Sequence, residues 1–214
     1  VKIRSQLAAA RHWVFDLDGT LTLAMHDFAA IRRALEIPAE DDILQHLAAL
    51  PAAAAAAKHA WLLAHERQLA QAAQPAPGAQ QLVRSLAERG CQLAILTRNA
   101  RPLAQLTLDT IGLGDCFAAA DIIGRDEAPP KPDPAGLLRI ARAWQVPPTA
   151  LVMVGDYCFD LECARAAGAT SVLVNLPDNP WPQLADLFAR DCHELLGQLS
   201  APGQPGSDLP APLR

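Results

Sequence analysis

From residue 79 to the end of the ordered pattern, short apolar runs alternate with helical periods, and this alternation most limits what the chain can become. Gln80 to Arg89 carries Leu82, Val83 and Leu86 on one helical face and stops at Gly90. Leu93 to Leu96 is too short and too apolar for a surface helix and reads as a buried strand. Pro102 to Ile111 is helical again and ends before Gly112. Asp121-Ile122-Ile123 reads as a weak strand. Asp133-Pro134 opens a helix to Trp144, with Asp as cap and Pro at the first helical position. Leu151 to Val154 and Ser171 to Val174 are strands flanking a helix at Leu161 to Ala167, and Asp191 with Glu194 caps a last helix. Strands alternating with helices pair in parallel, so the expected fold is α/β: a doubly wound, Rossmann-like parallel sheet covered by helices on both faces.

One stretch breaks the alternation. Residues 23–77 show no strand pattern and read as three helices, Asp27 to Glu36, Glu40 to Leu50 and Ala52 to Ala73, divided by Pro38 and Pro51. The third is rich in Ala, Leu, Gln and Glu, which favour helix. The expected organisation is an α/β core from residues 1–22 and 78–200, a small all-helical cap domain inserted at 23–77, and a flexible tail at 201–214 rich in Pro, Gly and Ser. Pro75 and Pro77-Gly78 mark the return hinge.

The bulk properties narrow the function classes. With 214 residues, half of them hydrophobic, the chain can bury a sizeable core. Net charge is -5 and no Lys/Arg block occurs, so neither nucleic acid nor a membrane surface is an expected partner. The most apolar stretch, Leu47 to Ala57, is too short to span a bilayer. The first eleven residues lack an apolar signal core. Five cysteines, an odd number with no Cys-x-x-Cys spacing, suit reduced thiols, and the expected compartment is the cytoplasm.

Chemistry is concentrated at strand ends. Asp16-Leu17-Asp18-Gly19-Thr20 follows the apolar run Trp13-Val14-Phe15. In extended backbone, positions two apart share a face, so two carboxylates would enter one small volume. Such a pair repels unless a cation intervenes, and magnesium suits hard oxygen ligands. A solvated acidic turn is the plainer alternative for this motif alone. Three further features fall in register with it: Thr97-Arg98-Asn99 after the strand at 93–96, Lys131 within Pro130-Lys131-Pro132, and Gly155-Asp156 with Asp160 after the strand at 151–154. In doubly wound sheets, ligands bind beyond the carboxyl ends of strands, so these groups can converge. Lys131 is one of only three lysines, and flanking prolines would fix it in place.

Together these motifs resemble the haloacid dehalogenase-like hydrolase superfamily, in its phosphoglycolate-phosphatase-like branch with a helical cap after the first motif. The likeness runs in order from about Trp13 to Val174. It implies a phosphatase acting on a small phosphate monoester, phosphoglycolate-like or sugar-phosphate-like, with Mg2+ as cofactor. By resemblance, Asp16 is the nucleophile that becomes an aspartyl-phosphate. Asp18 is the general acid and then the base. Asp16, the carbonyl of Asp18 and Asp156 hold the metal, with Asp160 supporting that shell. Thr97 and Lys131 hold phosphate oxygens, and Arg98 and Asn99 beside them are further candidate substrate-binding residues.

Within the cap, Lys58, Trp61 and His65 share a helix face. Lys58 and His65 are therefore candidate substrate contacts, beside His26, His46 and His59. A solvated face is the alternative. Tyr157 stands where the family usually has a small residue, and packing under the next loop is expected of it. The short cap counts against phosphoglycolate itself. A phosphomutase of the same fold and a non-catalytic binding or regulatory protein are the alternatives; the intact acids and lysine weigh against the latter. The expected assembly is a monomer or homodimer.

Overall fold

The computed structural model describes residues 2–25 and 27–200. The expectations for His26 and for the tail at 201–214 lie outside the described residues. Six strands, β1 (His12–Phe15), β2 (Gln92–Leu96), β3 (Ile122–Ile123), β4 (Leu151–Gly155), β5 (Thr170–Leu173) and β6 (Leu187–Phe188), form one sheet in the order β3-β2-β1-β4-β5-β6. Every pairing is parallel, with Phe15 level with Ile95 on one side and Val154 on the other. The order reverses at β1, whose two neighbours come from later and separate parts of the chain. A crevice opens at that switch point, beyond the carboxyl ends of β1 and β4.

The strands are apolar throughout because both faces are covered. Alternate residues serve different cores. Trp13, Phe15, Ile95, Val152 and Val154 point to one face and pack on α1 (Lys2–Ala9), α5 (Ala79–Glu88), α6 (Arg101–Thr110) and α9 (Cys192–Ser200) through Leu7, Leu82, Leu108 and Leu195. Val14, Ala94, Leu96 and Met153 point to the other, against Leu137 and Ile140 of α7 (Ala135–Ala143) and Cys163 and Ala164 of α8 (Cys158–Ala167).

Between β1 and α5 the chain makes a helical insertion of α2 (Phe28–Leu35), α3 (Ile43–Ala49) and α4 (Ala52–Gln71). Its small separate core consists of Ile31, Leu35, Ile37, Ile43, Leu47 and Leu62. Asp27 and Asp42 cap α2 and α3 through their side chains, accepting from Ala30 N and from Leu44 N and Gln45 N. Because Asp42 is the cap, α3 starts three residues later than the sequence pattern suggests. The insertion leaves and returns side by side: Thr22 bridges Pro75, and Leu23 N and Ala76 N donate to Gln74 O and Leu21 O, each at 2.9 Å.

Two elements escaped the sequence reading. In α1, Lys2, Arg4, Ser5 and Gln6 interrupt the apolar positions, and only Leu7 is buried. In β6, two residues are too few to show a period. The strand edge there is held by Asp186, whose carboxylate accepts from Ser171 N and Ser171 Oγ. Among the described residues, no helix is long and apolar enough to cross a membrane.

Leu82 is fully buried against the sheet. Leu82→Ala is expected to cost about 2–5 kcal/mol through lost transfer energy and an unfilled cavity. Thermal denaturation followed by circular dichroism would show a drop on the order of 5–15 °C for a chain of this size.

Candidate active site

Asp16 is the first residue past β1, and its amide donates to Val154 O of β4 at 2.9 Å. That bond fixes the carboxylate at the switch point. Lys131, only 4% exposed, reaches from the loop before α7 and places Nζ 2.6 Å from Asp16 Oδ1 and 2.6 Å from Asp160 Oδ1. Asp160 lies in the first turn of α8, and its other oxygen accepts from Tyr157 N at 3.1 Å. Thr20 turns back beneath the pair, donating its hydroxyl to Asp156 Oδ1 at 2.8 Å, with Asp16 Oδ2 at 3.4 Å.

The backbone must come close for this to fit. Gly19 has φ +89°, and a Cβ there would stand 2.5 Å from Asp156 Oδ2. A Cβ on Gly155 would stand 2.3 Å from the Asp160 carboxylate. Only glycine admits that approach at either position.

One oxygen from each of Asp16, Asp156 and Asp160 lies within 4.8 Å of the others. Three carboxylates against one ammonium leave the cluster short of positive charge. Burial, then the charges of Asp16 and Asp160, push the Asp156 carboxyl up to about 7, with the Thr20 hydroxyl and Lys131 opposing. Burial and the Asp16 charge push Asp160 up to about 6 against the pull of Lys131. Burial alone would lower Lys131, but its two carboxylate partners hold the ammonium above its ordinary range. An all-oxygen donor set with unspent negative charge fits a hard divalent cation such as magnesium. Asp160 has both oxygens engaged inside the protein, so it acts as the anchor of Lys131, while Asp16 and Asp156 face the crevice.

Above the cluster lies a cavity of about 610 Å³, between the strand ends and the insertion. Of the residues singled out in the sequence, Asp16, Asp18, Thr97, Arg98, Asn99, Lys131, Asp156 and Asp160 all line it. Thr97 is buried, and its Oγ1 accepts from Asn99 N at 3.1 Å. Asn99 Oδ1 caps α6 by accepting from Ala100 N at 2.8 Å. Arg98 crosses to the insertion, where it pairs with Asp42, and its guanidinium lies 5.7 Å from the centre of the Phe159 ring. Burial would raise the Asp42 carboxyl, but hydrogen bonds from Gln45 N and Leu44 N and the Arg98 charge hold it below the usual carboxylate range.

Lys58 and His65 are a correction: neither lines the cavity. Lys58 Nζ donates to the exposed end of α2 at Leu35 O, with Glu36 3.4 Å away. His65 stacks on Trp61 at 5.0 Å between ring centres. The helix face they share is real, but α4 turns it away from the sheet and presents Leu62 and Glu66 instead. Tyr157 packs edge-on to Trp181 of the next loop, as expected, and at 50% exposure it also lines the cavity at its mouth.

Several site residues gave little sequence signal. Asn175, just past β5, donates from Nδ2 to Gly19 O and Thr20 O, both at 2.8 Å, and so holds the loop that carries Asp18. Its place after a strand was the one available clue. Arg125 pairs in two-pronged fashion with Glu66 of α4, at 2.7 and 3.0 Å. Nothing local to either residue announces that pair, because they are 59 positions apart.

The switch point of the parallel sheet thus gathers paired aspartates, a buried lysine and a strand-end threonine at one crevice. The sequence profile of the haloacid dehalogenase-like hydrolases matches residues 11–168. The chain belongs to that family. A haloacid dehalogenase-like hydrolase domain-containing protein of Arabidopsis thaliana is 30% identical over 174 residues, 76% of this chain and 69% of that protein. A phosphoglycolate phosphatase of Rhodospirillum rubrum is 34% identical over 135 residues, 62% of this chain and 55% of that enzyme. Among solved structures, a hydrolase from Pseudomonas syringae superposes with a TM-score of 0.71 at 25% identity, covering 89% of this chain and 97% of its own. A family hydrolase from Deinococcus radiodurans, crystallised with phosphate and sodium, superposes with a TM-score of 0.65 at 20% identity over 90% and 97% of the two chains, a likeness of fold.

The raised Asp156 pKa has a consequence for stability. A carboxyl whose pKa rises on folding binds its proton more tightly in the folded chain than in the unfolded one. Folding therefore loses stability as pH climbs from 3.8, the ordinary value, toward about 7, and the loss is complete above that. Asp156→Asn carries no such charge. In chelator, its Tm relative to wild type is expected to be higher at about pH 8 than at about pH 5, by at least about 3 °C. Magnesium should then raise the Tm of wild type and leave the variant nearly unmoved. A Tm difference that is flat with pH would contradict the charge assignment.

Proposed function

We propose that this chain is a magnesium-dependent phosphatase that hydrolyses a small phosphate monoester, phosphoglycolate-like or sugar-phosphate-like, through an aspartyl-phosphate on Asp16. The observation that carries the reading is the Asp16 carboxylate, held by a buried lysine at the floor of a cavity closed over by the insertion, which serves as its cap. A small phosphorylated metabolite is the matching substrate.

In the first step, an oxygen of Asp16 forms a bond to phosphorus while the bond to the leaving alcohol breaks. Asp18 gives its proton to that alcohol. In the second, a water oxygen attacks the same phosphorus, the bond to Asp16 breaks, and Asp18 takes the proton from water. Dividing one hard displacement into two easier ones is the gain of a covalent intermediate. Lys131 offsets charge on Asp16 and, with Thr97, offers donors to the phosphate oxygens. Asp160 keeps Lys131 in place, and Thr20 and Asn175 keep the loop bearing Asp18 from shifting. Magnesium, held by Asp16, Asp156 and the Asp18 carbonyl, would supply the remaining positive charge for a dianionic phosphate. The cap excludes bulk water from these steps.

Phosphate release from a panel of small esters tests the reading. Wild type is expected to turn over at least one ester in magnesium and none in chelator. Asp16→Asn should abolish release, and Asp18→Asn should lower kcat at least about a hundredfold, the usual scale of a lost general acid. Turnover that survives Asp16→Asn would rule out the aspartyl-phosphate.

A further inference from the structure

The cavity that receives the leaving group is built against acids. Two of its three arginines are committed to carboxylates of the protein. Arg125 gives two nitrogens to the two oxygens of Glu66, a residue 8% exposed. Arg98 is fixed between Asp42 and the Phe159 ring. Arg32 gives its Nε–H to the Asp41 carbonyl at 3.0 Å, on a wall that also carries Glu40 and Asp41. On this side of the cavity Glu40, Asp41, Asp42 and Glu66 outnumber Arg32, Arg98 and Arg125. Lys131 is bound to Asp16 and Asp160 at the floor, where the phosphate goes. A carboxylate on the leaving group would have to draw Arg98 or Arg125 from its partner, stranding half-buried Asp42 or buried Glu66, or rely on Arg32 alone beside Glu40 and Asp41. Both are costly.

The remaining surface is apolar. Phe28, Ile31, Leu44 and Leu62 from the insertion face Phe159 from the core. A cavity of about 610 Å³ also exceeds what a two-carbon acid fills, and belongs with sites for much larger ligands.

We propose that the leaving alcohol of the natural substrate carries no negative charge, is larger than two carbons and presents an apolar face, and that the Arg98–Asp42 and Arg125–Glu66 pairs enforce this choice. The inference rests on the phosphatase reading above. It selects against phosphoglycolate.

The test is kcat/KM for phosphate release from benzyl phosphate, 4-carboxybenzyl phosphate, ethyl phosphate and phosphoglycolate. Benzyl phosphate is expected to exceed each of the other three by about tenfold or more, the scale on which a pocket rejects a misfitting group. Glu66→Gln and, separately, Asp42→Asn release an arginine while keeping the shape of the side chain. Asn also retains the helix cap. Each variant is expected to narrow the ratio of benzyl to 4-carboxybenzyl phosphate by several fold. Phosphoglycolate or the carboxybenzyl ester turned over as fast as benzyl phosphate would overturn the inference alone. So would a ratio unchanged in both variants. Wild type that releases phosphate from none of these esters, nor from p-nitrophenyl phosphate, would overturn the phosphatase reading and this inference with it.

Discussion

A single buried ammonium ties the molecule together. Lys131 joins Asp16 at the end of β1 to Asp160 in α8, and its own loop leads into α7. Stripping water from an ammonium is expensive, and only close carboxylates repay it. Here two are supplied, each 2.6 Å away. The same arrangement leaves Asp156 in a field of like charge, and its raised pKa records the imbalance. The site is therefore organised before any ligand arrives, and it is short of one positive partner. A hard divalent cation such as magnesium would meet that shortage.

The topology explains why these groups meet. Reversal of strand order at β1 puts β2 and β4 on either side of it, although His12 lies 80 and 139 positions before its register partners Gln92 and Leu151. With Phe15 level with both Ile95 and Val154, the next turns of chain carry Asp16, Thr97 and Asp156 to one edge. The insertion departs at this same edge. Its two connecting segments are bonded to each other at Thr22 and Pro75, so α2, α3 and α4 lie over the cavity that holds Asp16. A connection at the other end of the sheet would have left the crevice open to water.

What could be read from the sequence follows from how local each signal is. Strands β2 and β4 were legible because burial on both faces makes Leu93 to Leu96 and Leu151 to Val154 continuously apolar, and β5 showed through Val172 and Leu173. Asp16, Thr97, Lys131 and Asp156 were legible because each sits where an apolar run stops or between prolines. The insertion showed as three helices because Pro38 and Pro51 punctuate it, while the cap at Asp42 went unread. Which face of α4 turns inward was not legible. Its Ala-rich sequence is nearly as apolar on one side as on the other, so Lys58, Trp61 and His65 drew attention merely by being large. Packing chose Leu62 and Glu66. Asn175 and Arg125 were silent for a related reason: each acts on a distant segment, and no periodicity encodes a partner far along the chain.

The two arginines show how burial changes the meaning of a residue. In the sequence, Arg98 beside Thr97 reads as a phosphate ligand, since a guanidinium beside an anion site is the obvious match. In the fold its charge is already answered by Asp42, as that of Arg125 is by Glu66. Both pairs span the boundary between the sheet and the insertion, so each holds the cavity shut while it lines it. Exposed pairs of this kind contribute little, but Glu66 is buried, and parting it from Arg125 would leave an acid without water or partner. Closing the insertion and filtering the leaving group are thus one electrostatic fact. Any anion that entered deeply enough to claim an arginine would also loosen the contact that keeps water out.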